Sequence, residues 1–285
     1  MDIKLVALDI DGTLFDSHGL ISERTVNAIK KCTDKGIYVV FSTGRDYEAL
    51  PLLQVAGSGM RYAITTNGSA LYELGTRKCL WENTMTTEDI ELVLKYSDGR
   101  DIFPFLFIDG RGYAKRDDYG IFKRVAWPEH LKTDTRKNMN LVDDLEALVR
   151  NSDRGVQKGA ILFPSLQDAH INPEGSRLTG WDEARAYLDN IPGIHAVDGG
   201  CDNLEFNRSD TTKASGLRQL CHLLNVPVEA TIAIGDSEND LEVLKTAGTG
   251  VAMANAPDEV KAHADYVTAS NDDDGVARVL ERLVD

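Results

Sequence analysis

The chain predicts an α/β fold: an open parallel sheet with crossover helices, interrupted by an inserted α+β domain. Three observations carry this expectation. Strand and helix signals alternate over about the first 70 residues, and the same alternation returns near the C-terminus. Between them, from about residue 84 to 207, hairpins mix with helices, the texture of an antiparallel sheet. The core is therefore assigned to residues 1–83 and 208–285 and the inserted domain to 84–207, with Asn83 and Asn207 as hinges.

Taken in order, LVALDI has four apolar residues in a row, which suits a strand covered on both faces, and Gly12 suits the turn that follows. Ser22 to Gly36 reads as a helix, IYVVFSTGR as a strand, Tyr47 to Leu53 as a short helix, and YAITTNG as a third strand. In the insert, TTEDIELVLKYSDG is a helix, FPFLFIDG and GYAKR form a hairpin, DDLEALVR is a short helix and VQKGAILFP a strand. SRLTGWDEARAYLDN is a helix, and GIHAVDGG pairs with NLEFNR. After it, Leu217, Leu220 and Leu224 share one face of a helix in TTKASGLRQLCHLLNV. TIAIGDSEND is an apolar strand running into acids, and ENDLEVLKTAG is a helix closing at Gly248. GVAMAN, PDEVKAHA with Pro257 as a helix starter, YVT and DDGVARVLERLV complete the pattern.

Length and composition fit a globular protein: 285 residues, 42% hydrophobic, enough for two cores. The formal net charge of −15, from 46 acidic and 31 basic residues, argues against general affinity for nucleic acid or an anionic membrane. No apolar stretch is long enough to span a bilayer, and a carboxylate pair stands where a signal peptide would continue its apolar region. A cytoplasmic protein is expected. Cys32, Cys79, Cys201 and Cys221 lie far apart with no C-x-x-C, so they read as buried thiols.

Open parallel sheets bind ligands beyond the carboxyl ends of their strands. The first strand ends at Asp9 and Asp11, the second at Thr43 and Gly44, the third at Thr66, Asn67 and Gly68, and the late strand TIAIG at Asp236. On a continuous strand, residues 9 and 11 point the same way, so two anions share one space unless a cation or a proton relieves them. Carboxylates from two strands, with a hydroxyl and backbone groups, suit a hard ion that keeps several waters, and Mg²⁺ is the natural candidate. Each feature alone has a plain reading. Asp-x-Asp-Gly can be a solvated turn, Thr43 a cap, and Asp236 and Asp240 mere improvements to a helix N-terminus. Lys213, near a helix start, is mildly unfavourable and otherwise uninformative.

The order of these motifs resembles the haloacid dehalogenase superfamily. Asp9-Ile10-Asp11-Gly12-Thr13-Leu14 resembles its first motif, Ser42-Thr43-Gly44-Arg45 its second, Lys213 stands where its third places a lysine, and Gly235-Asp236-Ser237-Glu238-Asn239-Asp240 resembles its fourth. Gly250 to Asn255, Ala256-Pro257-Asp258-Glu259-Val260 and Ser270-Asn271-Asp272 look like the Cof-like branch, whose members carry a large type C2 cap. Ala214 departs from the glycine often found there.

The resemblance implies a Rossmann-like core with an α+β cap, and a Mg²⁺-dependent phosphatase of small phosphorylated metabolites, such as sugar phosphates, working through an aspartyl-phosphate. It implies Asp9 as nucleophile and Asp11 as acid and base. Mg²⁺ is implied to be held by Asp9, Asp236 and the main-chain carbonyl of Asp11. Thr43, the amide of Gly44, Lys213 and Asn239 are implied to bind the phosphoryl group, with Asp240 orienting Lys213 or a metal-bound water. The insert is then a candidate lid. A monomer or small homo-oligomer is expected, with no nucleic-acid or membrane partner. A phosphomutase remains an alternative for the same chemistry. A phospho-aspartate signalling receiver fits less well, because it lacks an insert and an acid/base beside the phosphorylated group. A dinucleotide module is disfavoured because Gly248-Thr249-Gly250 lacks the preceding strand and third glycine, and no P-loop is present. Nothing in the insert identifies the leaving group; Arg45, Arg111, Lys115, Lys158, His170 and Arg177 could read it, though each reads first as ordinary surface.

Overall fold

A computed structural model of the chain describes residues 2–125, 127, 129–164, 179–200 and 203–284. The N-terminal part carries β1 (Leu5–Leu8), α1 (Glu23–Asp34), β2 (Tyr38–Ser42), β3 (Tyr62–Thr65), β4 (Ala70–Glu73) and β5 (Lys78–Glu82). The middle carries α2 (Thr87–Ser97), β6 (Phe103–Ile108), β7 (Arg111–Lys115), α3 (Tyr119–Phe122), α4 (Glu129–Asn138), β8 (Met139–Val142), α5 (Leu145–Asn151), β9 (Val156–Leu162), α6 (Thr179–Asp189), β10 (Ile194–Gly200) and β11 (Asn203–Arg208). The C-terminal part carries α7 (Lys213–Leu224), β12 (Thr231–Gly235), α8 (Leu241–Thr246), β13 (Thr249–Ala252), α9 (Asp258–Lys261), β14 (Tyr266–Val267) and α10 (Gly275–Glu281).

Two compact units result. The first comprises Met1–Arg45, Leu50–Glu82 and Thr211–Asp285; the second comprises Asp46–Ala49 and Asn83–Asp210. In the first, eight strands run in the order β14-β13-β12-β1-β2-β3-β4-β5. The six from β14 to β3 are parallel, and β4 and β5 add an antiparallel hairpin at one edge. Chain order grows outward from β1 on one side and from β12 on the other, so the topological switch lies between β1 and β12. That switch is where an open α/β sheet leaves a crevice at its carboxyl edge. All four residues of β1 and all five of β12 are buried, which explains their unbroken apolar runs.

The second unit is a six-stranded sheet in the order β10-β11-β9-β6-β7-β8, antiparallel except for β7 against β8. Alternation along its strands sends Leu106, Ile161, Leu204 and Phe206 into one core with Ile90, Val93 and Leu188. Phe103, Phe105, Phe107, Ala160 and Leu162 pack on the opposite face with Phe122 and Val125.

Several sequence expectations change. No helix forms over residues 47–53, which run as turns and bends. Pro51 removes a donor and drives Leu50 away from helical angles. Instead the Glu48 N–H bonds the Gly110 carbonyl at 3.2 Å within the second unit. The β4–β5 hairpin was not expected: β5 is an edge strand without a fully buried residue, so its pattern lacks clean alternation. Helix α4, EHLKTDTRKN, is almost wholly polar and lacks an apolar stripe. Cys32 and Cys221 are buried and Cys79 is half-buried, all as free thiols; Cys201, His170 and Arg177 lie outside the described residues. Among the described residues no helix is long and apolar enough to cross a membrane.

Within the second unit Asp46 is buried, accepting the N–H groups of Glu48 at 2.9 Å and Ala49 at 3.2 Å. Burial raises its carboxyl from the ordinary 3.8 to about 6, against the opposing pull of Lys158 and those two N–H groups. The folded chain therefore holds this proton more tightly than the unfolded one. Stability from it is complete below about pH 4, falls as pH rises to 6, and is absent above. A difference of that size corresponds to about 3 kcal/mol. Asp46→Asn keeps an acceptor for both amides and is expected to raise the melting temperature more at about pH 7.5 than at about pH 4.5. Equal shifts at the two pH values would contradict this assignment.

Candidate active site

The first strand does not continue to Asp11. The strand ends at Leu8, one last N–H from Asp9 reaches the Ile234 carbonyl at 3.0 Å, and Ile10–Leu14 then coils into a tight turn in which Gly12 takes φ +78°. Only glycine adopts that angle without strain, and here a Cβ would also lie 2.3 Å from an Asp236 oxygen. The turn separates the two anions that the strand pattern placed together. Asp9 is buried, whereas the side chain of Asp11 is 60% exposed. Each acquires its own cation.

Asp9 meets Lys213. The lysine Nζ donates to Asp9 Oδ1 and to Asp240 Oδ1, both at 2.8 Å, and its side chain is only 1% exposed. Lys213 is the first residue of α7, whose N-terminus is fixed by a reciprocal cap: Thr212 and Ser215 each bond the other's backbone N–H through a hydroxyl. A cation at a helix N-terminus is unfavourable. The two carboxylates offset this. Burial pushes the Lys213 ammonium towards losing its proton, but Asp240 and Asp9 outweigh that and hold it above the usual lysine range.

Asp240 belongs to a short turn after β12. Its Oδ2 accepts the N–H groups of Asp236 and Ser237, both at 3.1 Å. With Oδ1 on Lys213, both oxygens of Asp240 are committed. Asp236 is held by the Thr13 hydroxyl, which donates to its Oδ1 at 2.7 Å. Burial raises the Asp236 carboxyl to about 6, and it raises Asp9 above its ordinary range against the pull of Lys213.

Carboxylate oxygens of Asp9, Asp236 and Asp240 all lie within 4.8 Å of one another. Three carboxylates against the single Lys213 ammonium leave two negative charges, the amount a divalent cation would balance. Asp9 Oδ2 and Asp236 Oδ2 accept no hydrogen bond among the described residues, so these two oxygens suit the ion, while Asp240 is already occupied. An all-oxygen set of this kind fits Mg²⁺. The Asp11 carboxylate is not part of the cluster.

Arg45 takes Asp11 instead, in a two-pronged pair with Nε 2.7 Å from Oδ2 and a terminal nitrogen 2.6 Å from Oδ1. Its guanidinium lies 5.0 Å from the centre of the Phe15 ring. The sequence offers Arg45 as a reader of the leaving group or as ordinary surface, not as the partner of Asp11, and gives Thr13 no role in supporting Asp236. Both stand inside quoted motifs, which was the available signal.

Thr43 is buried at the end of β2. Its N–H bonds the Ile64 carbonyl at 3.0 Å, and its hydroxyl accepts the Arg45 N–H at 3.1 Å. Gly44 follows, so close to Asn67 that a Cβ would lie 2.8 Å from Asn67 Oδ1. That same oxygen accepts the Asn239 side-chain amide at 3.2 Å, and Asn239 Oδ1 accepts the Ser237 hydroxyl at 2.8 Å. Asn67 thus ties the β2 and β3 ends to the β12 turn. Of the other basic candidates, Arg111 pairs with Glu48 at 2.8 Å, Lys158 pairs with Glu205 at 2.6 Å, and Lys115 ends β7; all belong to the second unit.

A family model described as haloacid dehalogenase-like hydrolase matches residues 6–280. Among curated proteins, the 5-amino-6-(5-phospho-D-ribitylamino)uracil phosphatase YcsE of Bacillus subtilis is 29% identical over 284 residues, covering 100% of this chain and 97% of that protein. The pyridoxal phosphate phosphatase YbhA of Escherichia coli is 24% identical, with 98% of each chain covered. Among solved structures, a haloacid dehalogenase-like hydrolase from B. subtilis superposes with a TM-score of 0.79 at 23% identity, covering 99% of this chain and 100% of that one. With the motif residues gathered at the switch of a parallel sheet and the family model spanning nearly the whole length, the chain belongs to the haloacid dehalogenase-like hydrolases.

Proposed function

We propose that this protein is a phosphatase that transfers the phosphoryl group of small phosphorylated metabolites to Asp9 and then to water. The observation that carries the reading is the buried Lys213 shared by Asp9 and Asp240, with Asp236 alongside. Such an arrangement keeps a carboxylate dry, oriented and beside a fixed positive charge, which is what attack on a phosphate anion requires.

In this reading an Asp9 oxygen forms the new bond to phosphorus as the bond to the leaving alkoxide breaks. Asp11 gives that alkoxide its proton, and later takes one from the water that attacks the aspartyl-phosphate and releases inorganic phosphate. Arg45 engages both Asp11 oxygens, so gaining a proton competes with one of those contacts and losing it restores that contact. Lys213, Thr43, the amide of Gly44 and Asn239 bind the phosphoryl oxygens as charge spreads over them. Asp9, Asp236 and the main-chain carbonyl of Asp11 would hold a Mg²⁺ ion, which would supply the positive charge that lets an anionic nucleophile approach an anionic ester. Asp240 keeps Lys213 aimed at Asp9.

The relatives support the substrate class. Their names specify a phosphoribityl uracil and pyridoxal phosphate, both small phosphomonoesters with dissimilar leaving groups. A shared core with varied leaving groups supports assigning the chemistry to the first unit and the choice of metabolite to other parts of the chain.

Released phosphate measured across a panel of sugar, nucleotide and cofactor phosphates is expected to reveal at least one Mg²⁺-dependent substrate. Chelation should silence turnover and Mg²⁺ restore it; activity that survives exhaustive chelation would contradict the metal assignment, and an isomeric sugar phosphate without free phosphate would favour a mutase. Asp9→Asn is expected to lower turnover by about 10³-fold or more while leaving the melting curve near that of the parent. A substantially active Asp9→Asn protein would remove the nucleophile.

A further inference from the structure

The turn that presents Asp11 is held from outside the catalytic cluster by two segments near the C-terminus, one after β13 and one after β14. Asn255, just past β13, donates its side-chain amide to the Gly12 carbonyl at 2.8 Å. Its own Oδ1 accepts the backbone N–H of Asn271 at 3.1 Å, which aligns the amide. Asn271 in turn donates its side chain to the Phe15 carbonyl at 2.9 Å, and Asp272 accepts the Ser17 N–H at 2.8 Å. The segment from Gly12 to Ser17 is therefore anchored at three points by residues 243 to 256 positions away.

Gly12 is the pivot. It follows Asp11 directly and occupies a left-handed conformation; its carbonyl is fixed by Asn255, and the next residue, Thr13, is fixed on Asp236. The peptide between them is thus gripped at both ends, which sets the direction in which Asp11 leaves the turn. Folding alone does not call for this. Asn255 is exposed, and hydrogen bonds of this kind add only about 0.5–1.5 kcal/mol each. Geometry gains far more, since an error of about 1 Å in a reacting group can cost about 10²-fold in rate.

We propose that Asn255 and Asn271 are positioning residues that aim Asp11 at the leaving-group oxygen, an inference that rests on the acid role given to Asp11 above. The test is a comparison of two leaving groups. Loss of p-nitrophenolate needs no proton, whereas loss of an alkoxide does, and kcat/KM reports only the steps through leaving-group departure. Asn255→Asp retains the acceptor for Asn271 but turns a carboxylate on the Gly12 carbonyl. It is expected to lower kcat/KM for the best alkyl phosphate by about 10- to 100-fold and that for p-nitrophenyl phosphate by less than about 3-fold. Asn271→Ala should reproduce the pattern at smaller size, guarding against a local collapse specific to one variant. Equal losses on the two esters, or no loss on either, would overturn the proposal. A parent enzyme that hydrolyses neither ester would overturn the phosphatase reading instead, so the two failures are distinguishable.

Discussion

A protonated lysine sealed from water between two carboxylates is the interaction on which the rest depends. Lys213 could not be buried at the start of a helix without Asp9 and Asp240, and those carboxylates could not both stay ionised in so dry a place without it. Removing the lysine would leave two buried carboxylates without their cation, a loss that typically costs about 3–5 kcal/mol, whereas losing the charge of Asp9 alone leaves Lys213 balanced by Asp240. The geometry is therefore enforced by folding itself. The capping box of α7 fixes the lysine's origin, and the adjacent ends of β1 and β12 fix its partners.

The same constraint organises the surrounding polar groups into a division of labour. Asp240 spends both oxygens on structure, whereas Asp9 and Asp236 each retain one oxygen that no described hydrogen bond uses. Asp11 lies outside the sealed set, on a turn that Gly12 permits, with Arg45 as its partner. A buried nucleophile and an exposed acid/base are what the proposed two-step chemistry asks of two nearby carboxylates. The first must remain fixed and dry, while the second must exchange protons with a leaving group and with water.

Much of this was legible in the sequence because the parallel core writes itself in unbroken apolar runs, as in β1 and β12, and because its ligands stand where those runs stop. Hairpins mixed with helices likewise pointed to the second, antiparallel sheet, in which β9 and β11 pair. Other features could not be read. Strand periodicity placed Asp9 and Asp11 on one face, yet the chain coils over Ile10–Leu14, where Gly12 packs against Asp236 from a distant part of the chain, a contact that no local pattern announces. The role of Lys213 was invisible by position, because what makes it special is carried by residues 204 and 27 positions away. The Arg45–Asp11 pair and the Asn255–Gly12 contact are long-range for the same reason, and the edge strand β5 and polar helix α4 lack any apolar signature.

The most direct test of the sealed Asp9 as the phosphoryl acceptor is an acid quench during steady turnover of a substrate labelled in its phosphoryl group, followed by peptide mapping. The expected result is label on the peptide that contains Asp9, released by hydroxylamine as an acyl phosphate is. Label held instead on a serine or histidine elsewhere in the chain would contradict it.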